Sequence, residues 1–504
     1  MKSLDINGHK GQLLKGNVQF EQSGSTVYCD EAEYDPTDET LKGIGGVRIV
    51  NTGGSVVTGN RLFYDNKTHV AFVEGKVELK DESMKLSTPW LRYNTLSKLG
   101  WYGAGGKIID KETELTSNRG SYDPTNHQLF FQGNVKLITP DYVIQTDTLQ
   151  YNTQEKKANF MSFTQINTDE DLILFEGGYY FTEEKNGFFH TKFVYSSPGK
   201  TLIADSAWVN QKAKYGITKG HVWSIDSAEM FQIWGNQGFY RDDIGLSMVY
   251  PNAKGIQTKS KDTLFIAADT LENSRRPISG KQQTRALNRV KIMQKQTRIS
   301  ANRMIYTSED STFRLRENPV IWDSSSRLSG DSVNLVIKNG KMREGELFPN
   351  AFIALQEDSM HFSQIQGDSI HYFLNTDQRI DKTQVFRKGK ALYYIKEQDT
   401  INSAFTVDCT NMEFRFNAGK ISTVHFYVEP KGKIYPLQEL PDSETKLSRF
   451  KWNIEDKPTL KDFQPPFPVK VPVKKYKIRE LPDSKSTDSK GSKDSKKRKW
   501  FGNS

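Results

Sequence analysis

The sequence predicts an all-β protein: an elongated repeat slab of stacked, bent strands, ending in a disordered basic C-terminal tail. Three observations predict it. A short phrase returns in one order along the chain, at a spacing near 29 residues. A second phrase of alternating apolar residues lies between its copies. Helical periodicity is nearly absent from the body, where no long segment places apolar residues at i, i+3, i+4 and i+7.

The first phrase reads: β-branched or Leu, any, small, Asp/Asn-like, any, small or apolar, any, large apolar. It runs VYCDEAEY at 27–34, VTGNRLFY at 57–64, LSTPWLRY at 86–93, LTSNRGSY at 115–122 and IQTDTLQY at 144–151. Looser copies start at 173, 202, 233, 266, 299, 328, 365 and 407. From Thr88 to Ala204 the small slot recurs every 29 residues, and later intervals stretch to between 29 and 42. A fixed period of this length marks a repeat architecture. Both cysteines, Cys29 and Cys409, occupy the small slot, so each reads as a small core residue. With only two cysteines, set so far apart in the array, no disulfide framework is expected.

The second phrase is Gly or Pro followed by alternating apolar residues, as in Gly16-Asn-Val18-Gln-Phe20, Gly75-Lys-Val77-Glu-Leu79 and Gly133-Asn-Val135-Lys-Leu137. Period two marks a strand with one buried face. Reversals follow the large slot, at Tyr34-Asp-Pro-Thr-Asp, Tyr64-Asp-Asn-Lys and Tyr122-Asp-Pro-Thr-Asn, where Asp, Asn and Pro favour turns. Parity slips within the first phrase: Val27 and Cys29 share a face, and Ala32 and Tyr34 fall on the other. An extra residue at the Asp/Asn slot, forming a bulge or corner, turns both pairs the same way. Each unit is therefore an out-and-back pair of long strands bent across a narrow apolar seam. Two strands per unit advance the stack by roughly 10 Å, and the whole array by about 125 Å.

The 504 residues are 36% apolar, which suits the thin, continuous core of a repeat protein. The net charge of +9 sits in the tail: from Lys457 onward there are 14 Lys/Arg and 5 Asp/Glu, leaving 56 of each sign in the body. A neutral body excludes nucleic acid as a partner on charge grounds. No stretch approaches the 18 apolar residues of a membrane helix, and MKSLDINGHK lacks the apolar core of a leader.

Catalytic and metal signatures are not visible. The eight histidines are scattered, and no H-E-x-x-H, phosphate-binding loop or G-x-S-x-G elbow occurs. The Asp/Asn slot has two readings, a calcium ladder or a repeated corner residue; several of its positions hold Asn, Pro or Thr, which favours the corner. No catalytic residue, metal site or cofactor is expected, and the chain reads as a non-enzyme. The inward apolar residues also have two readings: a closed dry core, or an open seam lined by Val18, Phe20, Val27, Val47, Ile49, Val57, Val77, Leu79, Leu86, Val135, Leu137 and Ile144.

The order and number of these motifs resemble the OstA-like, or LptA-like, proteins of lipopolysaccharide transport, most of all the long type found in Bacteroidota. The residues that carry the likeness are Gly16–Phe20, Val27–Tyr34, Asn318-Pro-Val-Ile-Trp322, Leu328-Ser-Gly-Asp331, Gly367–Tyr372 and Phe450-Lys-Trp452, within roughly residues 10–465. The resemblance implies an LptA-like β-jellyroll, or "β-taco": a bent double sheet, open along one side. Its apolar groove would shield the acyl chains of lipopolysaccharide (lipid A) across the periplasm, each buried methylene contributing about 0.8 kcal/mol. It also implies other Lpt-type proteins as partners through edge-strand pairing, with end-to-end self-association and outer-membrane association as further expectations. The chain is longer than a simple bridge protein, and it lacks the transmembrane barrel of the outer-membrane partner.

The expected organisation is a regular OstA-like slab over 1–200, continuing repeats over 201–345, longer-spaced repeats over 346–456 and the Pro/Lys/Ser-rich tail over 457–504. The tail reads as solubilising, or as resting on anionic phosphates. Two rivals remain: a β-solenoid polysaccharide-active enzyme, and a structural or adhesive surface protein with a closed core.

Overall fold

A computed structural model describes residues 2–6, 9–22, 24–81, 84–258, 262–275, 280–338, 341–377, 379–398, 400–417 and 420–467. The repeat folds as successive hairpins. Ser25–Asp35 pairs with His9–Gln22 on one side and Thr40–Asn51 on the other; Val56–Asp65 continues the ladder, followed by Val70–Lys80 and Met84–Asn94. Asp and Asn close the turns. Asp35 Oδ1 accepts the backbone N–H of Thr37 at 2.9 Å and of Asp38 at 3.2 Å, and Asp65, Asn94, Asp123 and Asn152 do the same in their own turns. The residue ending each of these turns is left-handed: Glu39, His69, Lys98, His127 and Lys156, with φ between 54° and 63°. Two of the scattered histidines thus sit at turn positions.

Midway along each hairpin the strands bend, and the register shifts there: Lys15 pairs with Glu31 but Val18 with Cys29, so two residues on one strand face Asp30 alone on the other. The special backbone angles differ from the expectation. They belong to the Gly-x pair of the second phrase, Gly16-Asn17 (φ 84° and 46°) and Gly75-Lys76 (φ 86° and 50°), and the Asp/Asn slot keeps ordinary strand angles. The slot residue instead clamps the neighbouring corner. Asn118 donates its backbone N–H to Gly133 O at 2.8 Å, and Asp368 to Arg387 O at 2.9 Å. The Asn302 side chain accepts the Arg289 N–H at 3.3 Å. A repeated corner therefore explains the repeated Asp/Asn.

Each bent hairpin contributes to two layers. The A arm lies on the Glu31–Asp35 side of the corner and the B arm on the Ser25–Tyr28 side. In some repeats the corner cuts strands in two, first between Gly100–Tyr102 and Gly106–Asp110 and again further on, where Lys157–Phe160 pairs with Gly177–Phe181 in the A arm, and Thr164–Asn167 with Leu172–Phe175 in the B arm. The arms pack through their inner faces, because one apolar cluster joins Val27, Val57 and Leu86 of the B arm to Ala32, Leu62 and Leu91 of the A arm.

The described residues divide into two compact units, residues 2–214 and residues 215–467. The first ends close to the last regular repeat interval. The strand Lys341–Phe348 lies within the second and runs across 345/346. The second unit repeats the two-arm plan: Ile292, Ile299, Ile321 and Leu328 of its B arm pack with Met304, Leu315 and Val333 of its A arm.

One segment has no counterpart in the expectation. Residues 437–467 run back over the outer face of the B arm of the second unit as a strap. Leu437 and Leu440 pack on Leu392, Tyr394 and Ala404. Gln364 donates to Thr445 O at 2.9 Å and accepts the Leu447 N–H at 2.8 Å. Trp452 lies 4.8 Å from the Phe362 ring and meets Trp322 edge-on at 5.2 Å. Phe463, 2% exposed, inserts beside Ala267 and Met293, and Asp462 pairs with Lys291 while capping its own 3-10 turn. Residues 457–467 of the expected tail are therefore packed, anchored by Phe463. The rest of that tail, 468–504, lies outside the described residues.

Candidate functional site

In the first unit, the inner face of the B arm carries a continuous cross-strand row. Phe20 pairs with Val27, Val27 with Ile49, Ile49 with Val57, Val57 with Leu79 and Leu79 with Leu86. The row passes through Ile108 and Leu115 to Leu137 and Ile144, then through Ile166 and Ile173 to Tyr195 and Leu202. It contains no charged side chain. Period two puts every second residue on this face, and in-register pairing joins the residues into one stripe.

A second row lies next to the corner. There Val18, Val47, Val77 and Val135 face the small slots Cys29, Gly59, Thr88 and Thr146. The slot is small because the inside of the bend has no room: a Cβ on Gly59 would stand 2.5 Å from Val73 Cγ1. Cys29 and Cys409 are both buried free thiols, and burial raises the pKa of each.

All twelve residues singled out in the sequence fall on these two rows. Val18, Phe20, Val27, Val47, Ile49, Val57, Val77, Leu79 and Leu86 share one apolar cluster, and Val135, Leu137 and Ile144 share the next. Their burial is uneven. The corner row is closed, with Val47, Val77 and Val135 at most 2% exposed. In the outer row Phe20, Ile49, Leu79, Ile108 and Leu137 are only half-buried, whereas Ile166 and Ile173 are fully buried. The seam of the first unit is thus sealed at the bend and looser towards the hairpin tips. The corresponding row of the second unit, Ile266, Ile292, Ile299, Ile321, Leu328, Ile353 and Ile365, is buried throughout.

Opposite the aliphatic row, the inner face of the A arm is rimmed by the large slot of the phrase. Tyr64, Tyr93, Tyr122, Tyr151 and Tyr180 alternate with Ala71, Gly100, Leu129 and Ala158 across the strands. Their hydroxyls reach the next turn: Tyr180 donates to Gln211 Oε1 at 2.8 Å, and Tyr64 lies 3.4 Å from Thr95 Oγ1. Burial raises the phenol pKa of Tyr93 and pushes that of Tyr180 well above its ordinary value. This rim was visible in the phrase but not read as part of the site; its signal is the tyrosine returning at the repeat interval. Ile108, Leu115, Ile166 and Ile173 were also missed, because they lie in strands that the corner interrupts.

An uncharged apolar row of this kind could hold apolar chains only by area and without direction. Among the described residues no group of three or more His, Cys, Asp or Glu converges, and no helix is long and apolar enough to cross a membrane.

Comparison with known proteins adds the family. No curated protein matches the sequence. Among solved structures, LptH, the LptA-homologous periplasmic component of the lipopolysaccharide transport device of Pseudomonas aeruginosa, is 18% identical over 27% of this chain and 80% of that chain, with a TM-score of 0.15. The WD40 domain of SCAP from fission yeast is 8% identical over 80% of this chain and 97% of that chain, with a TM-score of 0.12. With TM-scores this low, neither superposition carries an argument. The family model for OstA-like protein matches residues 2–147, and the model for the LptA/(LptD N-terminal domain) LPS transport protein matches residues 114–341. Matched without a gap from residue 2 to residue 341 by these two models, the chain belongs to the OstA/Lpt-like family.

Proposed function

We propose that this protein serves lipopolysaccharide transport as a periplasmic lipid-binding bridge, and that the seam of the first unit shields the acyl chains of lipid A. The observation that carries this reading is the uncharged aliphatic row from Phe20 to Leu202, closed at the bend and half-buried at Phe20, Ile49, Leu79 and Leu137. A dry core gains nothing from leaving these side chains half in water. An acyl chain laid along the row would finish their burial, at about 0.8 kcal/mol per methylene covered. Because the walls are aliphatic, such a chain slides without breaking directional bonds, which suits transport rather than turnover.

The second unit is the supporting part of this reading. Its matching row is already dry, and the strap covers the outside of one arm. Its last strands, Lys420–Tyr427 and Lys431–Pro436, each pair with Thr400–Asn417 and leave an edge on which Tyr427, Val428 and Ile434 are exposed. We assign this edge to strand pairing with another Lpt-type protein, since an unpaired apolar edge is a ready template for strand addition. Self-association end to end would use the same chemistry.

Binding of a fluorescent long-chain fatty acid to the whole chain tests the groove. The reading expects saturable binding that falls about tenfold or more in the Leu79→Asp variant, which puts a charge in the row. Unchanged binding in that variant removes the groove.

A further inference from the structure

The outer face of the A arm in the first unit carries a second continuous row, which the groove does not use. Across successive strands it places Phe63, Phe72, Trp101, Phe130, Tyr179 and Phe188 in register, with Arg92 between Phe72 and Trp101, and Ser121 between Trp101 and Phe130. Gln150 and Asn159 fill the steps between Phe130 and Tyr179. Phe63 is 39% exposed and the other five rings are half-buried on the solvent side. From Phe72 to Trp101 to Phe130 a ring recurs every second strand, about every 10 Å.

The same position in the second unit is built differently. There Glu272 pairs with Arg285, Asn334 donates to Glu346, His371 meets Glu346 at 2.9 Å, and Gln384 donates to Glu413. These neighbours satisfy one another by hydrogen bonds and an ion pair. In the first unit the row is aromatic and its cations are not neutralised. Arg92 lies 5.2 Å from the Phe72 ring and 5.7 Å from the Trp90 ring, and Lys157 lies 4.8 Å from Tyr179; neither has a carboxylate partner among the described residues. The charged neighbours on this face, Lys42 with Glu33 and Arg61 with Glu74, are already paired. The excess charge of the row is therefore positive.

We propose that this row is a docking platform for an anionic oligosaccharide, namely the sugar headgroup of the same glycolipid whose acyl chains the seam holds. Aromatic faces carry negative quadrupole charge and accept the C–H faces of pyranose rings as they accept cations. Gln150 and Asn159 supply amide donors and acceptors for hydroxyls, and Arg92 and Lys157 supply charge complementarity for phosphate or carboxylate groups. The row runs two residues from the turn-closing Asp65 and Asn94, about 7 Å from the hairpin tips, so a headgroup leaving the seam reaches it by folding over the rim. The chain's own tail, with its surplus of Lys and Arg, is a poor complement to unpaired cations. The source of the sugar rests on the groove reading; the chemistry of the platform does not.

The test uses the full chain with two probes: a phosphorylated lipopolysaccharide oligosaccharide stripped of acyl chains, and a fluorescent fatty acid. Two variants are compared, Phe72→Ser/Phe130→Ser and Arg92→Glu/Lys157→Glu, with the thermal midpoint as a check on folding. The charge variant changes the exposed Arg92 and the half-buried Lys157 on the outer face and touches no residue of the core. The expected result is that the wild type binds the oligosaccharide, each variant weakens it about tenfold, and fatty-acid binding is unchanged. Oligosaccharide binding without fatty-acid binding keeps the platform and removes the groove. Four results overturn the platform: fatty-acid binding with no oligosaccharide binding, folded variants that bind the oligosaccharide like the wild type, equal affinity for the dephosphorylated oligosaccharide, or a self-association of the chain that the ring variant abolishes.

Discussion

At the scale of single residues, the repeat is held by what the corner tolerates. Gly75 and Gly16 occupy equivalent corners with φ of 86° and 84°, but only Gly75 has a neighbour in the way: a Cβ there would stand 2.7 Å from Asn60 Cβ, and at Gly16 nothing lies within 4 Å. Left-handed geometry alone costs about 1–2 kcal/mol for a residue with a Cβ. Gly16→Ala should show that cost and Gly75→Ala clearly more, read as the lowering of the thermal midpoint. Equal shifts would mean that Asn60 does not clamp the corner. The Asp/Asn slot was legible as a corner marker, since a parity slip beside Asp or Asn has few other causes. Which strand carries the strained angles was not legible, because Gly-x pairs also occur in ordinary bulges.

At the scale of elements, the strands and turns were readable and the strap was not. Strands announce themselves by period two and turns by Asp, Asn and Pro, and both kinds of signal are local. Phe450, Trp452 and Phe463 are isolated anchors in a polar, Pro-containing stretch, and they gain meaning only from Phe362, Trp322 and Met293, far away in sequence. The strap hides outer-face rings of the B arm that would otherwise be an exposed apolar patch. Phe463→Ala should loosen it by about 3–5 kcal/mol, the usual cost of emptying a buried phenylalanine site. Hydrogen exchange over residues 437–467 should then quicken, while Leu460→Ala, at a 63% exposed position, leaves it unchanged. Slow exchange in Phe463→Ala would show that the strap is held elsewhere.

At the scale of the whole molecule, in-register pairing turns each repeated slot into a row with its own chemistry: aliphatic on the inner B arm, tyrosine at the inner A rim. Up to Ile144 the lining was legible in the strands that the corner leaves whole, and lost at Ile108 and Leu115, which lie in short strands. Where the corner splits strands, alternation shortens and Ile166 and Ile173 lose their signature. The division into two units left no mark in composition. Burial raises the phenol pKa of Tyr93, Tyr102, Tyr180, Tyr372 and Tyr394. A phenol whose folded pKa lies above its unfolded value of about 10 stabilises the fold below that pH and loses the contribution as pH rises through the folded value. The thermal midpoint should therefore fall steeply above about pH 10, with the tyrosinate absorbance of these buried phenols appearing together with unfolding. Full ionisation of the tyrosines with the fold intact would contradict their burial.

The seam is tested most directly by photo-crosslinking in cells, with a photoreactive residue at Leu79 or Leu137 on the inner row, and at Glu78, its neighbour on the opposite face of the strand, as control. Lipopolysaccharide should be captured from Leu79 and Leu137 and not from Glu78. Capture of protein alone from the inner positions, or equal capture of lipopolysaccharide from both faces, would contradict a lipid-bearing seam.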